Sequence, residues 1–447
     1  MAAQESVLAR LSASARSLWR LRNFRRFWIA NLVSNLGTSA FVMALSWLTV
    51  KSYGSAGIAA LALGYGVPQF LLEVVGGAAA DRINRRRLFL LTESGFLLVA
   101  LALWCASLLG TVPLWMLVGL TVCNGAISAF DSPARTALIS EMVPEAELVE
   151  AQQLYIMSSN ITNIFGPALG GVLMSIGTSD RSHEEVAFFF NVLSFLPLLA
   201  LIPFMPSVRE AAQVSKVRGM SFLRSVAEGV EFVRGKWALR ALLQLLAVVM
   251  LLGMPFQTLL PIFVHGHHTM GGSHSHGIYA ALLSAVGLGG FVGSLFGMAS
   301  GEGSRPGLPL LSAAAGLGVS ILLLVSSDVI HWASLAAFFA GACAVLAVNL
   351  DMALVEGLTP VELQGRVSAI ASLGKGLQSF SPSVLQSFSA AAASGLMHWI
   401  SVRNGAISSG YAPVQIAMAL ALIGVVIVLR QPLMRLTLAP VNGADPA

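Results

Sequence analysis

Glu73 and Lys375 are charged side chains set deep inside long apolar runs of this 447-residue chain. A charge at mid-membrane is costly, so it marks an ion pair, a proton carrier or a ligand contact. Glu73 lies eight residues before Asp81 and Lys375 nine residues after Arg366, which is about 12–14 Å along a helix in each case. The matched depth allows the two to pair. The alternatives are that Lys375 snorkels to water while Glu73 stays protonated or faces a wet cavity. Glu93, one turn into its run, and Asp351 and Glu356, which close theirs, are read as interfacial. A second group is His265, His267, His268, His274 and His276, five imidazoles in one glycine-containing loop. Imidazole binds zinc, copper and nickel. No carboxylate or cysteine accompanies the cluster, so it is read as a polar loop and no metal or other cofactor is assigned. The chain has no Gly-x4-Gly-Lys-Ser/Thr pattern and no catalytic constellation.

The elements that carry these residues follow from composition. Hydrophobic residues make up 56% of the chain and charged residues 11%, against roughly 25% charged in a soluble domain. A helix of about 20 apolar residues crosses a bilayer. Twelve runs of that kind are expected: 26–50, 58–80, 88–109, 113–133, 150–176, 185–206, 238–263, 277–300, 307–326, 332–355, 366–397 and 411–430. Of the 26 Lys and Arg, 22 then fall on the side of the Arg82–Arg87 turn, three (Lys51, Arg181, Arg403) on the other, and Lys375 inside a run. The positive-inside rule makes the basic side cytoplasmic, with both termini on it. The +5 net charge is spread over short loops, which is not a nucleic-acid surface. The three cysteines lie in the apolar runs and carry no disulfide framework.

The runs divide into two sets of six. The expected units are a basic lead-in, 1–24; a first six-helix bundle, 25–206; a linker, 207–237; a second bundle, 238–431; and a tail, 432–447. Phe222, Val226, Val230 and Val233 give the linker an amphipathic helix along the membrane face. The halves repeat: Ala137-Leu138, Val143-Pro144 and Glu147-Leu148 are echoed by Ala353-Leu354, Thr359-Pro360 and Glu362-Leu363, and Pro167 by Pro382. The offset is 216 residues, falling to 215 after a one-residue gap. Parallel six-helix repeats about an axis along the membrane normal are a transporter plan, with the substrate site between the halves.

Three motifs carry a resemblance to the major facilitator superfamily over nearly the whole chain. The first is Gly77-x3-Asp81-Arg82-x2-Arg85-Arg86 between spans 2 and 3. The second is Gly166-Pro167-x2-Gly170-Gly171 in span 5, similar to the core of the motif of drug–proton antiporters, with Thr162 and Gln153 where that motif has upstream glycines. The third is the stretch Phe130–Pro144 with Gly365-Arg366-Val367, which resembles the branch of enterobactin exporters and macrolide efflux proteins. The resemblance implies an all-α membrane protein of twelve transmembrane helices in two pseudo-symmetric six-helix bundles. It implies that Asp81, at the positive N-terminus of span 11, locks the halves in the outward-facing state. It also implies an adjoining charge pair between Arg85 and Asp131, and it places Arg366 of the third motif with the gating residues. The second-half counterpart of the loop signature, Gly293–Arg305 after span 8, keeps the glycines and one Arg but lacks the acid.

The spans expected to line the cavity carry Asn31, Asn35, Trp47, Asn124, Gln257 and Asn349 and no acid at mid-depth. Such a lining suits an amphipathic organic molecule. The reading is therefore a monomeric secondary exporter of the bacterial inner membrane, with lipid and a small-molecule substrate as its partners and protons as the coupling ion. A metal exporter using the histidine loop, a lipid flippase and a non-transporting sensor of the same fold are the alternatives.

Overall fold

A computed structural model describes residues 18–110, 112–144, 147–176, 183–204, 234–266, 275–300, 307–358, 382–404 and 411–434. These are almost wholly helical, and a helix is found at each of the twelve expected positions. Nine helices among the described residues are long and apolar enough to cross a membrane. The first holds two expected spans. The helix Arg22–Arg82 contains 61 residues, about 90 Å if straight, some three times the hydrocarbon thickness. Gly54 breaks it with φ 60°, ψ −152°, a conformation open to glycine alone at little cost. Beyond the break a side chain on Gly57 would meet Thr49. Residues eight apart lie about 12 Å apart in a straight helix, so the chain doubles back into spans 1 and 2.

Span 3 is Arg85–Leu108, span 4 Leu114–Met142 and span 5 Leu148–Ile176. Span 6 is His183–Leu201 with a 3-10 turn, Ile202–Phe204. Span 3 starts at once after span 2: the Asn84 side chain accepts from the Arg87 N–H at 3.2 Å, capping the new helix. Span 4 runs nine residues past its expected end, through Pro133 to Met142. Pro133 has no N–H for the carbonyl of Ala129. Gly76 of span 2 sits against that carbonyl, in space a Cβ would fill.

Span 7 is Trp237–Val248, a π-turn Val249–Gly253, and Pro255–Gly266. The Met254 N–H reaches the Val249 carbonyl at 3.0 Å, one residue beyond the α-helical bond. Pro255 leaves the Leu251 carbonyl without its helical donor; the hydroxyl of Ser389 donates to it instead. Spans 8, 9, 10 and 12 are Ser275–Ser300, Gly307–Val325, Ile330–Gly357 and Tyr411–Met434. Span 11 is Pro382–Asn404; the first part of its expected range, 366–381, lies outside the described residues, as do the lead-in before Leu18 and most of the linker.

Within the first set of helices the span 1–2 hairpin packs on spans 4, 5 and 6; within the second, span 10 packs on spans 8 and 9, and span 9 on span 12. The sets meet where span 11 lies on spans 1–2, span 8 on span 5, and the end of span 7 on span 1. One apolar core continues across this boundary, holding Phe41, Trp47 and Leu61 with Phe256, Phe263 and Tyr279.

Candidate functional site

The most charged place in the described interior is built around Arg135. Its Nη2 donates to Glu93 Oε1 at 2.7 Å, and its Nη2 and Nε donate to Asp131 Oδ2 at 2.8 and 3.0 Å. Its Nη1 donates to the amide oxygen of Asn31. Thr92 donates to the other Asp131 oxygen at 2.8 Å, and the Phe89 ring lies 5.0 Å from the guanidinium carbon. Spans 1, 3 and 4 are tied together by this one side chain. A rigid five-donor fork suits the task, and Arg keeps its charge when buried. Two acids face one base, so the cluster has room for a proton.

This arrangement corrects several expectations. Arg135, placed by its sequence position in a loop, is buried because span 4 continues beyond it. Glu93, expected as interfacial, is 0% exposed and is held inside the helix bundle by Arg135. Asn31, expected in the substrate cavity, is a ligand of Arg135. The expected Arg85–Asp131 pair is not formed: Arg85 pairs with Glu141 at 3.3 Å, while Asp131 is occupied by Arg135 and Thr92. Arg85 opens span 3 at its basic end and Glu141 nearly closes span 4 there; Asp131 lies ten residues further in, about 15 Å. The i,i+4 spacing of Asp131 and Arg135 was the sequence signal for the cluster. Nothing in the sequence ties Glu93 or Asn31 to it.

In the loop signature, Gly77 and Arg86 are half-buried, and the side chains of Asp81 and Arg82 lie outside the described set. Arg366 and Lys375 lie outside the described residues, so the lock on span 11 and the Glu73–Lys375 pair have no described geometry. Glu73 is half-buried. Asp351, expected at the interface, is instead 1% exposed. It faces inward because the helix around it is packed on spans 7 and 9.

The span-5 motif performs close packing. Gly166 faces Ser39 and Gly170 faces Ala40 and Met43, both on span 1, whereas Gly171 faces Ala280 of span 8. Gly287 of span 8 rests on the Asn163 carbonyl of span 5. Pro167 is buried within the continuous helix Leu148–Ile176. Trp47 stacks on Tyr279 at 5.9 Å and meets the His265 ring edge-on at 6.0 Å. Ala62 packs with Ala390 and Ala391. These contacts join the two sets of helices at the end remote from the Arg82–Arg87 turn. Asn35, Asn124 and Gln257 are half-buried and Asn349 is exposed. Of the five clustered histidines, His265 ends span 7 and His276, stacked on His183 at 5.3 Å, begins span 8. His267, His268 and His274 lie outside the described residues, and no metal-holding group of His, Cys, Asp or Glu is found among those described.

This architecture is that of the major facilitator transporters. A bacterial homologue of the human lysosomal transporter Spinster, solved in an inward-facing and occupied conformation, superposes over 93% of this chain and 96% of its own with a TM-score of 0.68 at 15% identity. The nucleoside transporter NupG gives 0.69 over 93% and 100% at 10% identity. The chain belongs to the major facilitator superfamily, in the family described as transmembrane secretion effector, whose model matches residues 13–435. Its relatives include the staphyloferrin A transporter of Staphylococcus aureus, 26% identical over 38% of this chain and 44% of that one. They also include the enterobactin exporter EntS of Citrobacter koseri, 25% identical over 68% and 70%, and the macrolide efflux protein A of Streptococcus pyogenes, 22% identical over 62% and 67%. The match to the transporter YfiS of Bacillus subtilis, at 28% identity, spans 47% of that protein, so it and the staphyloferrin match each cover about half of the relative. The family and fold are those of membrane transporters.

Proposed function

We propose that this protein exports a small amphipathic organic molecule, siderophore- or drug-like, by alternating access coupled to the proton gradient. The observation that carries the reading is the family match over residues 13–435, with siderophore and macrolide transporters among the relatives. The units 25–206 and 238–431 rock against each other about a central site, the 207–237 linker joins them, and both termini face the cytoplasm of a bacterial inner membrane. The glycine contacts of span 5 with spans 1 and 8 support the reading, because small residues let helices seal closely and separate as units. The half-buried amides Asn35, Asn124 and Gln257 offer hydrogen bonds to a cargo of low charge. Asp81 and Arg82 seal the cytoplasmic side, and the protein works as a monomer.

Cells lacking the protein, cells carrying it and cells with His→Ala at 265, 267, 268, 274 and 276 test the cargo. Retention of enterobactin and erythromycin should rise on deletion and fall with either version. If only metal tolerance changes, and the five-alanine version loses it, the organic-exporter reading is wrong.

A further inference from the structure

The internal repeat aligns Arg135 with Asp351 and Asp131 with Ala347, at the 216-residue offset that relates the segments just after them. The two places are built alike and filled oppositely. Arg135 on span 4 faces spans 1 and 3 and is met by Asn31, Glu93 and Asp131. Asp351 on span 10 lines a narrow slot together with Leu245, Leu246 and Val249 of span 7, Leu310 of span 9, and Ala347 and Val348 of its own helix. Neither carboxyl oxygen has a hydrogen-bond partner among the described residues. The slot leaves no room for a water molecule. The first half thus holds a guanidinium met by three side chains, and the second a carboxyl with no hydrogen-bond partner among the described residues.

We propose that Asp351 is a proton-binding site, and that its loading and release couple the proton gradient to movement of span 7 against span 10. The proposal rests on the proton-coupled reading given above. A metal cation is a poor occupant, since hard cations take six or more oxygens and the slot offers a single carboxyl group. A proton needs one lone pair, and a neutral carboxyl is the form that a dry apolar slot tolerates. No other described group around it titrates. Spans 8 and 9 contain no Asp, Glu, Lys or Arg. Span 8 meets the other face of span 10, with Gly297 against Asn349. On span 7, Arg240 is exposed, and on span 10 the nearest acid, Glu356, is one turn beyond Asp351 toward the basic end. Releasing the proton creates a charge that must gain water or a donor, which the described lining of the slot does not supply. The lining residue Val249 begins the π-turn of span 7, a break at which one segment can move without unfolding the other. Ionisation therefore favours a packing in which that segment separates from span 10, and protonation favours the one described here.

The test uses the full chain reconstituted in lipid vesicles, with labelled erythromycin and enterobactin as probes, comparing wild type with Asp351→Asn. Two modes are read: accumulation driven by an imposed pH gradient, and probe-for-probe exchange with no gradient. The proposal expects the Asn variant to lose gradient-driven accumulation and retain exchange. If the variant accumulates probe as the wild type does, Asp351 is not the coupling site, and the exporter reading stands. If wild type exchanges probe but ignores the gradient, the proton-coupled reading itself fails and the proposal with it. A substrate-independent arm is infrared spectroscopy of the resting protein at neutral pH. The carbonyl stretch of a protonated Asp should be present in wild type and missing in the Asn variant. Identical spectra overturn the proposal. Should the Asn protein not accumulate, Asp351→Leu, which matches the apolar lining, replaces it in both arms.

Discussion

Arg135 of span 4 donates to Glu93 of span 3 at 2.7 Å, with Glu93 wholly removed from solvent. A buried pair is costly to make and more costly to break on one side, roughly 3–5 kcal/mol. Arg135→Ala should therefore lower the melting temperature in detergent sharply, and Glu93→Leu by itself should do the same. Arg135→Met combined with Glu93→Leu and Asp131→Leu should recover much of the loss, because no charge is left unpaired. Melting of Arg135→Ala at the wild-type temperature would contradict this.

The partner of Arg85 is of another kind. The Arg85–Glu141 pair keeps 33% and 17% side-chain exposure, and such surface pairs contribute about 0.2–1 kcal/mol and are screened by salt. Arg85→Ala and Glu141→Gln should leave melting nearly unchanged. A fall in transport without a fall in stability would then assign this turn to gating. Asp81→Asn should likewise raise maleimide labelling on the basic side of span 2 and slow turnover. If labelling and transport both match wild type, the turn only sets topology.

At the remote end, Gly171 and Ala280 touch between spans 5 and 8. Gly171→Leu should force the helices apart there. In a background with Cys105, Cys123 and Cys343 replaced by Ala, a cysteine at the buried Ala62 should react slowly with a water-soluble maleimide, and faster once Gly171→Leu is added. Equal rates would show that this contact does not hold the end shut.

Ser389 donates to the Leu251 carbonyl that Pro255 leaves without its helical partner. Ser389→Ala should cost about 1 kcal/mol, the usual worth of one hydrogen bond. Pro255→Ala restores an N–H for that carbonyl, so Ser389→Ala should cost less in that background. Equal cost in both, read from detergent melting curves, would remove the argument.

Much of this fold was legible because apolar length and the positions of arginine are one-dimensional signals. The runs at 88–109 and 307–326, for instance, match helices Arg85–Leu108 and Gly307–Val325 closely. The end of span 4 is hidden in the sequence because Pro133 and Arg135 look like helix-ending residues. Both are accommodated by neighbours the sequence does not display, Gly76 for the freed carbonyl and Glu93 with Asn31 for the guanidinium. The burial of Asp351 is hidden for the same reason in reverse. A lone acid four residues from polar chain looks interfacial until spans 7 and 9 are seen to close over it. The glycines of span 5 were legible as a motif, but that Gly166 and Gly170 serve span 1 and Gly171 serves span 8 is a three-dimensional fact.

The central claim is gradient-driven outward transport of an amphipathic organic molecule. Inverted inner-membrane vesicles from cells with and without the protein test it most directly, with labelled enterobactin outside and an acid lumen imposed. The account predicts that vesicles with the protein accumulate the label, and that collapsing the pH gradient with an uncoupler releases it. Accumulation that is equal with and without the protein, or that persists unchanged after the gradient is collapsed, would contradict it.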